Sequence, residues 1–594
     1  MTSKRWKIYS YGGPQKELTP GAFFSPRSGR RAREYLRIER SEILNYEAIY
    51  MVKRVGTRYI FVSGGVISGI GKGITAASLA TILQSKGFKV SPVKIDMYLN
   101  VDAGTIRPQE HGEVFVTDDG IETDQDLGHY ERFLDLSLSA ANYITTGQVY
   151  QEVIKKERAF EYDGEDVEAI PHVTDEIIRR IKEAGKASEP DFVIIELGGT
   201  VGEYQNMLFF EATRIMELKN PGSTKHVHVA YLPIPSHLGE MKSKPVQQSV
   251  RALNSLGIQP DFIIGRSELP MDARRKERLA LFCNVAGDDV ISNPDVDTIY
   301  RVPQVLDGQS VGEKVLAKFG LPLGKKNLGE WRNLVLDIEK AKKELKIAVV
   351  GKYFSTGDFQ LEDVYVSVIE AIKHASWRHK AKPRLFWIDS DEFEKGKSVE
   401  EVLREMDGIV VPGGFGGRGI EGIIKSIKFA RESKKPYLGL CYGMQLATVE
   451  FARHVAKLEK AHTTEIDPKT PHPVIHIMPE QEKLLIGREY GGTMRLGAFP
   501  CKLAAETEAK RAYGRNEVYE RHRHRYELNN HYRETLEKAG LVVSGTSLNG
   551  KLVEMIELPN HPFFVGTQFH PEFKSRPLRP HPLYLSFVEA CLKK

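Results

Sequence analysis

Apolar and polar positions along this chain fall into blocks of differing length and period. Residues 59–62, Tyr-Ile-Phe-Val, are a short continuous apolar run, which predicts a strand buried on both faces. A glycine-rich turn follows, then a helix over 76–84, and residues 89–94 read as the next strand. Further apolar runs, each flanked by turns or helices, lie at 192–196, 226–232 and 262–265. Strands alternating with helices predict βαβ units and a parallel, doubly wound sheet. A polar stretch at 324–330 reads as part of a linker, and a second α/β series begins beyond it at 347–350, 384–388, 408–411 and 436–439. The pattern therefore predicts an α/β protein of two doubly wound parallel-sheet domains, over 56–322 and 343–594, joined by a linker over 323–342. No internal repeat or low-complexity tract is evident.

Composition narrows the class. A chain of 594 residues is too long for one hydrophobic core. Apolar content of 41% and charged content of 27% place it among ordinary soluble proteins. A net charge of +5 is small for this length and gives no pointer to nucleic acid. The four cysteines, Cys283, Cys441, Cys501 and Cys591, show no CxxC spacing, which fits a reducing, cytoplasmic setting and argues against a disulfide framework or zinc knuckle. No run of about 18 apolar residues occurs, so no membrane span is expected. The first residues are rich in Arg and Lys, lack an apolar signal core and carry interspersed Glu. Residues 1–55 thus read as a basic extension, either a poorly ordered tail or sequence upstream of a start at Met51.

The first series carries a phosphate cradle. Gly64-Gly65-Val66-Ile67-Ser68-Gly69-Ile70-Gly71-Lys72-Gly73-Ile74 lies between a strand and a helix. Glycines there let backbone N–H groups approach phosphates, the helix N-terminus adds a partial positive charge, and Lys72 adds a full one. The spacing is longer than in GxxxxGK[ST], and Gly73 stands where that loop has its hydroxyl. Lys94 ends the second strand, at the sheet edge where such folds bind ligands. Asp126 and Glu196 are candidate Mg²⁺ ligands; each alone suits a solvated surface group or cap, but Glu196 ends a buried strand directly before Gly198-Gly199-Thr200. Lys242-Ser243-Lys244-Pro245-Val246-Gln247 sets two cations before a helix and suits a second triphosphate, although a lone KxK usually only solvates a surface.

The second series carries a nucleophile. Gly439-Leu440-Cys441-Tyr442-Gly443-Met444-Gln445 follows a strand, which places Cys441 at a tight strand-to-helix turn where the helix terminus favours thiolate. Near the end of the chain, His570 in Gln568-Phe569-His570-Pro571-Glu572 can serve as base and acid, with Glu572 orienting the imidazole. Pro412-Gly413-Gly414-Phe415-Gly416 ends another strand and offers backbone N–H groups to an oxyanion.

The second domain resembles class I glutamine amidotransferases, and the first resembles dethiobiotin-synthetase-like amidoligases with a deviant phosphate loop. With Asn100-Val101-Asp102, residues 109–116, 126–133 and 198–202, and Arg521-His522-Arg523-His524-Arg525-Tyr526, the chain from about Tyr59 onward is similar to the CTP synthase family. The resemblance implies ATP binding at Gly69, Ile70, Gly71, Lys72, Gly73, Ile74, Lys94 and Asp126, with Mg²⁺ on Asp126 and Glu196. It implies UTP or CTP binding at Ser68, Glu203, Tyr204, Gln205, Lys242, Ser243, Lys244, Pro245, Val246, Gln247 and Arg278. It implies glutamine contacts at Gly414, Tyr442, Gly443, Met444, Gln445, Glu465 and Arg525, a Cys441–His570–Glu572 triad, and an ammonia route past His111 and Val114. It further implies a homotetramer with GTP as activator and CTP as feedback inhibitor.

Some positions depart from the family pattern. Glu203-Tyr204-Gln205 stands where many members carry Asp-Ile-Glu, so an amide replaces a ribose-holding carboxylate and CTP feedback is expected to differ. Arg278 replaces a lysine, keeping charge but changing geometry. The segment over 476–491, which contributes to the GTP response in the family, is several residues short. An amidoligase with another acceptor would lack the 242–247 and 122–133 segments, and a silent nucleotide-binding or filament-forming scaffold would lack Cys441, His570, Lys72 or a metal carboxylate, all of which are present.

Overall fold

The computed structural model describes residues 56–186, 189–324, 327–352, 355–356, 359–360, 362–478, 481–483 and 491–593. The basic extension over 1–55 lies outside these residues, as do positions 479–480 and 484–490 of the short segment. The first half is built on seven strands: β1 (Arg58–Gly65), β2 (Val90–Asp96), β3 (Tyr143–Thr145), β4 (Phe192–Leu197), β5 (Thr224–Tyr231), β6 (Phe262–Ser267) and β7 (Val290–Pro294). They pair in the order β3-β2-β4-β1-β5-β6-β7, all parallel. β4 is apolar apart from Glu196, the Tyr-Ile-Phe-Val run forms the middle of β1, and both strands are buried almost throughout, as parallel strands covered by helices must be. The helices that place chemistry are α1 (Lys72–Ser85), α2 (Gln125–Leu134) and α3 (Lys244–Ser255).

The stretch read as a linker contains a packed helix, α4 (Gly329–Lys340). Its polar leading residues hide an apolar stripe further on. Trp331, Leu334 and Val335 recur at i, i+3 and i+4 and are buried, with Trp331 against Phe133 and Tyr300 at ring separations of 5.1 and 5.7 Å.

The second half starts with β8 (Lys343–Gly351) and α5 (Val366–Arg378) and continues through β9 (Ala381–Asp389), β10 (Gly408–Val411), β11 (Tyr437–Leu440) and α6 (Tyr442–His454). Five further strands complete its sheet: β12 (Arg495–Leu503), β13 (Glu517–His524), β14 (Val542–Thr546), β15 (Val553–Glu557) and β16 (Phe564–Thr567). The order is β9-β8-β10-β11-β16-β15-β14-β12-β13. The parallel sheet expected here covers β9 to β16, whereas β15, β14, β12 and β13 continue it antiparallel. Short turns rather than crossover helices join β14 to β15 and β15 to β16, and a short connection can only return a strand antiparallel.

The two halves meet over a buried polar seam. Glu131 of α2 accepts from Arg521 Nη1 and Nη2 at 2.9 and 3.1 Å and also pairs with Arg576. Arg521 Nε donates to Asp118 at 2.6 Å, and Arg523 Nε to Glu122 at 2.8 Å. Phe115 and Phe573 add an edge-to-face contact at 5.1 Å.

Candidate functional site

At the carboxyl edge of the first sheet, β1 runs into the glycine-rich loop and α1 begins at Lys72 directly after Gly71, which sits at φ 83°. A left-handed residue here turns the chain so that the first N–H groups of α1 face the loop's concavity. Lys72 Nζ donates to the Gly199 carbonyl at 2.8 Å, and burial pushes its ammonium down against the opposing pull of Glu196. Lys94 and Glu196 are cross-strand partners on β2 and β4, 3.2 Å apart, and Lys94 also contacts Asp126 at the start of α2. Burial alone would lower the Lys94 ammonium, but Asp124, Asp126, Glu196 and Asp96 hold it well above its usual range. Burial and the Asp126 charge raise the Glu196 carboxyl.

These groups enclose a cavity of about 480 Å³ whose walls include Ser68, Gly69, Ile70, Gly71, Lys72, Gly73, Ile74, Lys94, Asp126 and Glu196. Every residue expected to hold ATP or Mg²⁺ therefore faces one space. A Cβ on Gly73 would overlap Asp126 Oδ1 and approach Glu196 Oε2 at 3.2 Å, so both carboxylates converge over the start of α1. That all-oxygen set suits a hard cation. Sequence reasoning missed Asp96 and Asp124 beside it, which with His111 bring three potential ligand atoms within 4.8 Å of one another.

The expected uridine-nucleotide residues are more dispersed, and of them only Ser68 lines that cavity. Ser243 and Lys244 open α3, Val246 and Gln247 are buried in its first turn, and Gln247 Nε2 donates to Ser243 Oγ at 3.1 Å. Lys242 pairs with Glu240 at 2.7 Å, and Arg278 lies over the Phe282 ring at 5.8 Å. Glu203 accepts from the Thr200 N–H and hydroxyl, Gln205 is exposed, and Tyr204 is 93% exposed.

In the second half, Cys441 lies between β11 and α6 at φ 49°, ψ −95°, a strained conformation that sets the thiol at the mouth of the turn. Its N–H donates to the Thr567 carbonyl at 2.6 Å, which ties it to the adjacent strand leading to His570. His570 Nδ1 is 2.7 Å from Glu572 Oε1, and its other ring nitrogen, Nε2, is buried, with Cys441 close enough to act on the imidazole. Burial would lower this imidazole, but Glu572 and Cys441 outweigh it and raise it to about 10. Cys441, His570 and Glu572 line a small cavity of about 90 Å³. A larger one of about 540 Å³ opens from Cys441 along Gly414, Gln445, Glu465 and Arg525.

Of the expected glutamine contacts, Tyr442, Gly443 and Met444 do not line that larger cavity. The Tyr442 hydroxyl donates to the Gly416 carbonyl at 3.0 Å, Gly443 abuts Val411, and Met444 packs over Gly566. Arg525 donates to Gln481 and Thr493, and Glu465 accepts from the Gly416 N–H at 2.8 Å, with burial raising its carboxyl. Lys352 was missed. It directly follows β8, whereas Lys94, expected to end its strand, lies two residues inside the end of β2; Lys352 donates to the Gly416 carbonyl at 2.5 Å, and burial lowers it to about 8. Pro108 and Val364 border both the 90 Å³ and the 480 Å³ cavities, with Val114 on the first and His111 on the second.

Comparison with known proteins agrees with this division of labour. Residues 58–321 match the family model described as CTP synthase N-terminus, and 360–590 match glutamine amidotransferase class-I. The chain is 52% identical over 536 residues to the CTP synthase of Caldanaerobacter subterraneus subsp. tengcongensis, covering 90% of this chain and 98% of that one. The chain belongs to the CTP synthase family. A second member, from Sulfurisphaera tokodaii, is 51% identical over 90% of this chain and 99% of its own. A solved Trypanosoma brucei CTPS glutaminase domain with bound acivicin is 37% identical, with a TM-score of 0.39, over 42% of this chain and 94% of that chain.

Proposed function

We propose that the protein is a CTP synthase that aminates UTP, using ATP and ammonia released from L-glutamine. The observation that carries this reading is the junction of a Cys–His–Glu cavity with a phosphate-loop cavity at Pro108 and Val364. Cys441 Sγ attacks the glutamine amide carbon, and the oxyanion takes N–H groups of Gly414 and Tyr442. The charged His570, steadied by Glu572, gives its proton to the departing nitrogen. Water then cleaves the thioester, releasing glutamate and the thiol. Ammonia moves past Val114 and His111 to the nucleotide side, where the ATP γ-phosphoryl has been transferred to the uracil O4. Attack of ammonia at C4 expels phosphate and leaves CTP. Lys72, Lys94 and the loop N–H groups hold the triphosphate. Mg²⁺ held by Asp126 and Glu196 would neutralise phosphate charge.

UTP, and CTP as feedback inhibitor, bind along Ser68, residues 203–205, residues 242–247 and Arg278, with Gln205 altering the response to CTP. By resemblance to the family, the protein assembles as a homotetramer. GTP acts as activator of the glutaminase. Four free thiols are in keeping with the reducing cytoplasm.

The test is CTP formation from UTP, ATP and Mg²⁺ with glutamine or with ammonium chloride, in wild type and Cys441→Ala. The variant should lose glutamine-dependent synthesis and keep ammonia-dependent synthesis. Glutamine use by Cys441→Ala would remove the triad assignment, and no CTP from either source in wild type would remove the synthetase reading.

A further inference from the structure

The carboxylate of Glu113 reaches across the seam to the glutaminase half. It is buried and accepts from the Ser367 backbone N–H at 3.0 and 3.1 Å and from the Ser367 hydroxyl. Ser367 is the second residue of α5, and Tyr365, at that helix's N-cap, forms no side-chain cap bond. A helix start leaves backbone N–H groups unpaired and carries partial positive charge, so a carboxylate there is both acceptor and counter-charge. The cap of α5 thus comes from the other half of the molecule. The Glu113 N–H also donates to the Asp363 carbonyl at 2.9 Å, and Arg132 Nη1 donates to Ser367 Oγ at 3.2 Å, which holds the crossing from both sides.

Directly before α5, the Tyr365 hydroxyl donates to the Gly413 carbonyl at 3.2 Å. That carbonyl and the Gly414 N–H belong to one planar peptide, so fixing the oxygen fixes the direction of the N–H. The peptide lies against the catalytic imidazole: a Cβ on Gly413 would stand 2.7 Å from His570 Cε1. Glu113 sits between His111 and Val114, in the stretch that borders both cavities.

We propose that Glu113, Ser367 and Tyr365 form a strut between the halves that sets the Gly413–Gly414 peptide, so that the oxyanion donor of the glutaminase is held in place from the synthetase side. Glu113 and Tyr365 are positioning residues in this arrangement. A shift of the 108–114 stretch on nucleotide binding would reach the Gly414 N–H through two side chains. The inference rests on the glutaminase reading and goes beyond it by naming what orients the oxyanion donor.

The experiment measures glutamate release, CTP formation from ammonium chloride, and alkylation of Cys441 by iodoacetamide, followed by mass spectrometry. Tyr365→Phe removes one hydroxyl, Glu113→Ala removes the cap, and Glu113→Gln keeps an acceptor oxygen in the same volume. Alkyl halide displacement passes through no oxyanion and so reports the thiol alone. Tyr365→Phe and Glu113→Ala should lower kcat for glutamine about tenfold, less than outright loss of an oxyanion donor, with KM within about twofold. Ammonia-dependent synthesis and alkylation should stay at wild-type rates, and Glu113→Gln should recover most of kcat. Wild-type kcat in Tyr365→Phe, or alkylation falling in step with kcat, would overturn the strut. If Glu113→Ala does not fold, Tyr365→Phe still decides. No glutamate from the wild-type protein would instead defeat the underlying glutaminase reading.

Discussion

His570 stands between a carboxylate and a thiol in a buried setting, and its raised pKa of about 10 has a consequence for stability. An imidazole normally titrates near about 6.5, so folding here favours the proton-bound form. The stabilisation is complete below pH ~6.5 and is lost as pH rises through about 10. Glu572→Gln removes the largest of the raising charges. The gap in Tm between wild type and this variant should be widest below pH ~6.5 and close toward about 10. A gap that stays constant across that range would mean Glu572 acts only by shape. A second prediction concerns Gly73, where any side chain would overlap Asp126 Oδ1. Gly73→Ala should abolish CTP formation from either nitrogen source while glutamate release continues; near-normal synthesis from ammonia would show that the carboxylates need not converge there. Both candidate sites stand out in the sequence because short runs, residues 64–74 for one and 439–445 with 568–572 for the other, each bring several chemical groups together. Tyr365 and Lys352 act on the carbonyls of Gly413 and Gly416, far along the chain, and no local pattern marks such a role.

Strands were easier to read than the segments between them. β4 and β10 are compact apolar runs, and burial on both faces demands that pattern wherever such a strand occurs. The antiparallel continuation through β12 to β15 was not legible, because direction depends on the path of the connection rather than on strand composition. α4 was read as linker from its polar leading residues, yet its apolar stripe fills a gap beside Phe133 and Tyr300. Tyr300 in turn hydrogen-bonds Glu370 and His374 of α5, each at 2.7 Å, so α4 supports the seam through an aromatic stack. Trp331→Ala should therefore cost about 3–5 kcal/mol, as expected for truncating a buried large aromatic. Chemical denaturation would show it as a lower midpoint with unchanged slope. A loss below about 1 kcal/mol would mean the site collapses around the void.

At the scale of the whole molecule, α2 joins the two chemistries. Asp126 at its start faces the phosphate loop, and Glu131, one and a half turns on, holds Arg521 and Arg576 of the other half. Those arginines are almost fully buried, and burial lowers the Arg576 guanidinium to about 10 despite Glu131. A buried pair is weak evidence of net stability, since desolvation offsets much of the attraction. Removing one partner is different, because it strands the opposite charge in a low-dielectric seam. Glu131→Gln leaves Arg521 with Asp118 but leaves Arg576 without its carboxylate partner. Loss of about 3–5 kcal/mol is expected, concentrated at the contact between halves rather than in either sheet. Hydrogen exchange should accordingly speed up in α2 and β13 while β1 and β11 keep their protection. The chemical signature is also specific: glutamate release and ammonia-dependent synthesis should each survive, but glutamate should outrun CTP when glutamine is the nitrogen source. If CTP still keeps pace with glutamate in Glu131→Gln, the ion cluster is dispensable for transfer, and the Glu113 strut with its aromatic neighbours suffices to hold the two cavities together.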